Sequence, residues 1–304
     1  MSPLRAIALK LTAVILFTVM ASLIKASSSV VPPGEAVFFR SFFAMPVIVC
    51  WLALRGDLRT GFKAKRPMGH VFRGLVGVSA MGCGFASLGL LPLPEVTALG
   101  FAAPLITVLL AALLLGERLR LFRLSAVFLG LIGVTVVIWP RLTVDDLSDA
   151  ATLGVALVLI SAVLRALAQI QIRQLVATEE TSAIVFYFSL TATLFSLLTV
   201  PFGWVWPGPV TLAQLIGAGL IGGIAQIFLT SAYRFAGAAV IAPFDYASIL
   251  FAILFGYVFF DEVPTAMVLI GSTLVILAGG VIIWRERQLG IQRGKARSGL
   301  TPQG

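Results

Sequence analysis

Residues 100–117 read GFAAPLITVLLAALLLGE, and residues 245–262 read DYASILFAILFGYVFFDE. Each is an apolar, helix-length run closed by an acid, Glu117 in the first and Glu262 in the second. A further apolar run follows each and ends at a tryptophan, Trp139 and Trp284. One offset of 145 residues relates both pairs of landmarks, and no gap is needed between them. The shared pattern is a small-residue helix, an acidic stop, a helix and a tryptophan, which points to an internal repeat.

Working outward, a membrane-crossing helix needs about 20 mostly apolar residues. Ten such runs follow one another, at roughly 5–27, 34–54, 69–91, 94–115, 121–140, 150–175, 182–203, 211–235, 238–260 and 264–284. The gaps between them are short, and Pro and Gly punctuate several. Composition agrees. Of 304 residues, 59% are hydrophobic and 12% charged, and mean hydropathy is +1.05. A soluble domain carries about 25% charged residues, so this chain could not cover a water-facing surface. A soluble globular protein, a disordered chain and a disulfide-stapled secreted domain are excluded. Arg5 and Lys10 before the apolar stretch Leu11–Ile24 give the first span the look of a secretory signal, but no clean small-x-small cleavage pattern follows, Lys25 closes the run, and it is counted as a span. The two cysteines, Cys50 and Cys83, lie inside apolar runs and read as buried fillers. The tail after Trp284 is polar and is expected to be disordered.

Net charge is +9, and its placement sets orientation. Arg55, Arg59, Lys63, Lys65 and Arg66 share one side with Arg118, Arg120 and Arg123 and with the tail arginines if there are ten spans. Positive loops face the cytoplasm, so both termini are expected there, in a bacterial inner membrane. This distribution also argues against nucleic acid as a partner. Five spans per half is an odd number, so the second half enters the membrane upside down. The expected fold is an all-α membrane protein of ten transmembrane helices built as two inverted five-helix repeats, 1–140 and 150–284, with a cytoplasmic tail at 285–304. Inverted repeats are the architecture of many secondary transporters, with substrate held near the midplane between the halves. Alternating access then follows, because each half can take up the conformation the other has left.

The stretch LGLLPLPEVTALGFAAPLITVLLAALLLGERLRLFRLSAVFLGLIGVTVV (88–137) resembles the EamA unit of the drug/metabolite transporter superfamily. AYRFAGAAVIAPFDYASILFAILFGYVFFDEVPTAMVLIGSTLVILAGGVII (232–283) resembles a second one. The Pro-Gly-Glu start of the second span, followed by Arg40, fits as well. The resemblance covers the chain up to Trp284, and the overall look is similar to YddG-type exporters of aromatic and other amino acids. It implies a carrier of small metabolites, with export of amino acids through a central, mostly apolar cavity as the leading expectation. Uptake of S-adenosylmethionine or a vitamin is the alternative. No cofactor is implied, and a monomer or a homodimer would both serve.

Polar groups inside the hydrocarbon are costly and are functional candidates by default. Asp245, about 12 Å into the ninth span at 1.5 Å per residue, could contact a substrate ammonium or carry a proton. Arg165, about 15 Å into the sixth span, is its expected ion-pair partner. Gln169, at i+4 from Arg165, shares its face, and Gln226 lies mid-span. Both could recognise a zwitterion or simply bond helix to helix. Arg40 could attract a carboxylate, snorkel to the interface or pair with Glu35 or Glu95. Pro104 and Pro243 break the backbone ladder and are read as cavity-shaping. Ser79 with Met81 and Phe85 on the third span, and Thr97 with Phe101 and Val108 on the fourth, are further candidates. Phe101 and Tyr246 stand at equivalent places, 145 apart, and would suit an apolar or aromatic substrate from either side of a cavity. Glu117 and Glu262 read as acids favoured by a helix dipole, or as gates.

Other motifs carry less. Gly217, Gly219 and Gly222 spell G-x-G-x-x-G, but inside an apolar span with no preceding strand, so close helix contact explains them better. No Walker A sequence exists, and His70 alone, expected at the interface, builds neither a metal site nor a triad. No catalytic constellation clusters, so an enzyme is not expected. A channel would want a ring of polar groups, and the inverted repeat favours a carrier.

Overall fold

The computed structural model describes residues 3–58, 61–115, 121–143, 149–175, 178–235 and 242–298. The helices are α1 (Pro3–Ser27), α2 (Pro33–Leu54), α3 (Pro67–Leu88), α4 (Leu93–Gly100), α5 (Ala102–Leu115), α6 (Leu121–Thr143), α7 (Asp149–Leu175), α8 (Thr181–Leu197), α9 (Pro209–Phe235), α10 (Ala247–Phe260) and α11 (Ala266–Ser298). Short 3-10 turns occur at Val200–Phe202 and Ala242–Tyr246. Prolines open α2, α3 and α9 and stand second in α4. The first turn of a helix is where a missing N–H costs nothing.

Six segments are long and apolar enough to cross a bilayer, one of them the α4–α5 rod at Leu93–Leu114. Four shorter apolar helices, Leu124–Pro140, Ser182–Leu197, Phe244–Phe260 and Ala266–Val281, complete ten rods. The fold is therefore an all-α membrane fold of ten helical rods. Trp139 and Trp284, which close equivalent rods, are both about half exposed, as suits aromatic anchors at a membrane interface.

The packing repeats every five rods. The first rod (α1) lies along the eighth (α9), and the third (α3) along the sixth (α7). The second (α2) meets the eighth (α9), as the third (α3) meets the seventh (α8). The fourth meets the sixth (α5 on α7), as the ninth meets the first (α10 on α1). Three contacts map onto themselves: α2 with α8, α4 with α10, and α6 with α11. The last shows the inversion directly. A Cβ on Gly133 would meet the side chain of Val275 at 2.9 Å, while one on Gly271 would meet the backbone nitrogen of Val137 at 3.0 Å. Moving forward along α6 moves backward along α11, so these equivalent helices are antiparallel. The glycines let their backbones approach closely, as small residues do in membrane helix pairs.

Acids from one half hold loops of the other. Glu35, at the start of α2, accepts from Val205 N (3.1 Å), just before α9. Glu179, just before α8, accepts from Lys65 N (2.8 Å) and Arg66 N (2.6 Å), just before α3. These two contacts are counterparts under the five-rod repeat. A carboxylate bonded to backbone N–H is worth roughly 1.5–3 kcal/mol.

The fourth span is present at Leu93–Leu114 and carries the irregularity expected at Pro104: α4 ends at Gly100 and α5 starts at Ala102, because Pro104 has no N–H to offer the carbonyl four residues back. Two expectations need correction. The seventh span stops at Leu197 rather than 203, since Pro201 sits in a 3-10 turn that Gly203 closes at φ 89°. The tail is not disordered up to residue 298, because α11 runs on to Ser298. Extending a formed helix needs no new nucleus, and Arg, Glu, Gln and Lys propagate one well. Glu117, Arg118 and Arg120 lie outside the described residues, as does the expected start of the ninth span.

Burial of the Glu179 side chain works to raise its pKa, but the N–H groups of Lys65 and Arg66 and the neighbouring His70 outweigh it. The carboxyl therefore sits below the usual carboxylate value. A depressed folded value gives stability that is present above the unfolded pKa and is lost as pH falls through the folded one. Glu179→Gln should lower the melting temperature by about 3–6 °C at neutral pH. The gap to wild type should close as pH drops below the ordinary Glu value of about 4.3. Thermal unfolding of both proteins across a pH series checks this, and a gap that widens on acidification contradicts it.

Candidate substrate site

The interruption in the fourth rod has a twin in the ninth. α5 spans Ala102–Leu115 and α10 spans Ala247–Phe260, again 145 residues apart at both ends. The residue before each is aromatic, and the two meet. The Phe101 and Tyr246 rings stack at 4.8 Å with 28° between their planes. Residues equivalent in two inverted halves can touch only near the axis that relates those halves, so this pair marks a point on that axis. The hydroxyl of Tyr246 rests directly on Gly279 of α11, where any Cβ would collide with it. Pro243 lies in the 3-10 turn leading to Tyr246, and Pro104, in the first turn of α5, is exposed.

Asp245 is paired, but not with Arg165. Its Oδ1 is 2.6 Å from Lys10 Nζ, and the side chains are 43% and 2% exposed. Lys10 reads in the sequence as a flanking cation. α1 begins at Pro3, which places Lys10 about 10 Å along the helix. Arg165 turns away toward the α4–α5 interruption: a Cβ on Gly100 would stand 3.1 Å from its Nη2. Its Nε donates to Ser161 O at 3.4 Å. The expected partner of Asp245 thus borders Phe101 instead. Gln169 is exposed one turn further along α7, on the face predicted.

The remaining candidates scatter. Gln226, half-buried on α9, lies one turn past Gly222, which faces Arg40: a Cβ there would stand 3.5 Å from Arg40 Nε. Thr97 Oγ1 donates within its own helix to Leu93 O (2.8 Å). Ser79 is exposed and sits two residues from Gly77, on roughly the opposite face of α3. Arg40 neither snorkels nor pairs with Glu35. It is 5% exposed, and its guanidinium lies over Phe188 at 5.9 Å. Arg73 lies over the same ring at 4.3 Å. Sequence reading passes over Arg73 because it follows the basic loop so closely. His70 is buried rather than interfacial, its Nε2 3.4 Å from Glu179. Among the described residues no group of three His, Cys, Asp or Glu could hold a metal ion.

One end of the bundle carries a tight polar knot. Lys25 Nζ is 2.9 Å from Glu262 Oε1 and donates to Leu88 O (3.0 Å) and Leu91 O (2.7 Å). Glu262 Oε2 accepts from Leu93 N at 2.8 Å. The helix-dipole expectation for Glu262 holds with a change of helix, because the acid caps α4 rather than the helix that follows it. The knot joins α1, the α3–α4 turn and the end of α10.

The Lys10–Asp245 pair makes an asymmetric prediction. Asp245→Asn takes the paired carboxylate from a buried ammonium and should cost up to about 3–5 kcal/mol of stability. Lys10→Met leaves a half-exposed carboxylate that water can reach and should cost clearly less. The double variant should recover most of the Asn loss in a thermal-unfolding series. Equal losses for both single variants contradict the pairing.

Known proteins agree with this architecture. The model of the EamA-like transporter family matches residues 4–139 and again 152–284. The pseudopaline exporter CntI of Pseudomonas aeruginosa is 32% identical over 269 residues, covering 86% of this chain and 90% of that protein. The S-adenosylmethionine uptake transporter of Rickettsia prowazekii is 28% identical over 254 residues, covering 84% of each. A solved crystal structure at 23% identity superposes with a TM-score of 0.68 over 95% of this chain and 99% of that one, which speaks for the fold alone. On the double match of its two halves, the chain belongs to the EamA-like transporter family.

Proposed function

We propose that this transporter of small molecules is a secondary carrier that exports amino acids, aromatic and other neutral ones, by alternating access. The observation that carries the reading is the Phe101–Tyr246 stack on the molecular axis, with the Lys10–Asp245 pair beside Tyr246 and Arg165 beside Phe101. Aromatic faces suit an apolar or aromatic side chain. A carboxylate and a guanidinium near the same point suit the ammonium and carboxylate of a zwitterion. Pro104 and Pro243 interrupt the two central rods, and freed backbone at membrane depth is tolerated where it lines a cavity. Ser79, Thr97, Gln169 and Gln226 complete the proposed lining. The halves are assigned as 1–140 and 150–284.

The basic loops favour an orientation with both termini in the cytoplasm of a bacterial inner membrane. The Lys25–Glu262 knot is then at the outer end, where it closes the molecule to the outside. Opening outward requires the bonds of Lys25 and Glu262 to α4 and the α3–α4 turn to break. The proposed path runs between the two halves of one chain, which a monomer or a homodimer would both provide. A second reading, uptake of S-adenosylmethionine, is favoured by the relatives of that name. Phe101 and Tyr246 would then stack on a nucleobase.

The test is counterflow of radiolabelled phenylalanine in proteoliposomes, with and without a pH gradient. The expected result is saturable, trans-stimulated flux that other neutral amino acids compete. Tyr246→Ala should reduce it about tenfold or more, while Glu262→Gln should alter the balance between the two directions of exchange. Flux of S-adenosylmethionine with none of phenylalanine moves the assignment to the second reading. Non-saturating flux contradicts a carrier.

A further inference from the structure

Two guanidinium groups lie inside the bundle with no acid to meet them. Arg40 of α2 and Arg73 of α3 both face the Phe188 ring on α8, at 5.9 and 4.3 Å, which puts them within about 10 Å of each other. Arg40 is 5% exposed. Its Nε, and the Nε and Nη1 of Arg73, are buried without a hydrogen-bond partner. Among the described residues no ion pair or hydrogen bond reaches either guanidinium. Glycines make room for both groups: Gly222 beside Arg40, and Gly77 against Arg73.

The acids with assigned contacts are committed elsewhere. Glu35 holds Val205 N, Glu179 holds Lys65 N and Arg66 N, Glu262 holds Lys25 and Leu93 N, and Asp245 holds Lys10. Among the described residues well inside the rods or lying over Phe188, Lys10, Arg40, Arg73 and Arg165 stand against Asp245, with Glu95 nearer the start of α4. An aromatic ring attracts each cation but neutralises neither, and the two repel. Arginine within a membrane domain ordinarily has a partner, and its planar fork matches a carboxylate in two parallel bonds.

We infer that Arg40 and Arg73 form a binding site for a carboxylate of the transported solute. The inference rests on the carrier reading above and extends its substrate class to amino-acid-type solutes with a carboxylate beyond the one their amino group balances. The bound carboxylate would lie between the two guanidiniums beside Phe188 and supply the missing charge.

The experiment uses the full chain in phosphatidylcholine nanodiscs. Succinate is titrated against its uncharged diamide, succinamide, and L-glutamate against L-glutamine, which lacks only the side-chain carboxylate, by calorimetry and thermal unfolding. Near saturation each dicarboxylate should raise the melting temperature by about 3 °C more than its amide does. Arg40→Gln and Arg73→Gln should each weaken carboxylate binding about tenfold or more. Arg73→Lys, which keeps the charge and loses the fork, should fall between and guards against a glutamine variant that fails to fold. The inference is overturned if no carboxylate binds, if the arginine variants bind it as wild type does, or if only added phosphatidylglycerol stabilises the protein in an arginine-dependent way. Phenylalanine counterflow on the same preparation separates the two claims. Flux without carboxylate binding removes the site and keeps the carrier reading. Arginine-dependent carboxylate binding without amino acid flux does the reverse.

Discussion

In a bilayer every backbone N–H and C=O must find a partner within the protein, because no water is present to take its place. Two of the ten rods nevertheless break, and they break at equivalent residues, Phe101 and Tyr246. The rest of the architecture arranges itself around that pair of interruptions. The two rings stack on the axis relating the halves, the missing side chain of Gly279 leaves room on α11 for the Tyr246 hydroxyl, and Arg165 comes to the turn at Gly100. Irregular backbone at this depth is where transporter folds generally place substrate.

Charge is distributed in two ways. Near the rod ends, carboxylates fasten one half to the other through backbone N–H groups, as Glu35, Glu179 and Glu262 do. These contacts hold loops and helix starts, and their strength comes from charge-assisted bonds in covered positions. Deeper in, the cations outnumber the acids, and Lys10 with Asp245 is the ion pair there among the described residues. The first set suits a frame that holds its shape, and the second suits a molecule whose charge is completed by what it carries.

Much of this was legible in the sequence, and the limits have physical causes. The ten runs, the 145-residue offset and the equivalence of Phe101 with Tyr246 follow from hydropathy and spacing, which local structure obeys directly. The inversion follows from an odd number of spans per half. Side-chain partners do not follow, because they depend on which rods touch. Asp245 and Arg165 are deep and opposite in sign, so pairing them is the natural guess. α1 packs beside the 3-10 turn that carries Asp245, and so Lys10 takes the place. Lys10, Lys25 and Arg73 escaped notice for one reason: a cation near the end of an apolar run reads as an interfacial flank. Each lies within a run read as a span, and what covers it is another rod: Lys10 meets Asp245, Lys25 meets Glu262, and Arg73 lies over Phe188. The helical tail escaped because polarity marks where the apolar span ends, not where the helix does.

The central claim is that the meeting point of the two interrupted rods is the place reached alternately from each side of the membrane. The most direct test is thiol labelling of Tyr246→Cys, in a background with Cys50 and Cys83 replaced by alanine. A membrane-impermeant reagent is applied to right-side-out and to inside-out vesicles. The account predicts labelling from both faces, slowed by a transported amino acid in each orientation. Labelling from one face alone, or labelling that no transported solute slows, would contradict it.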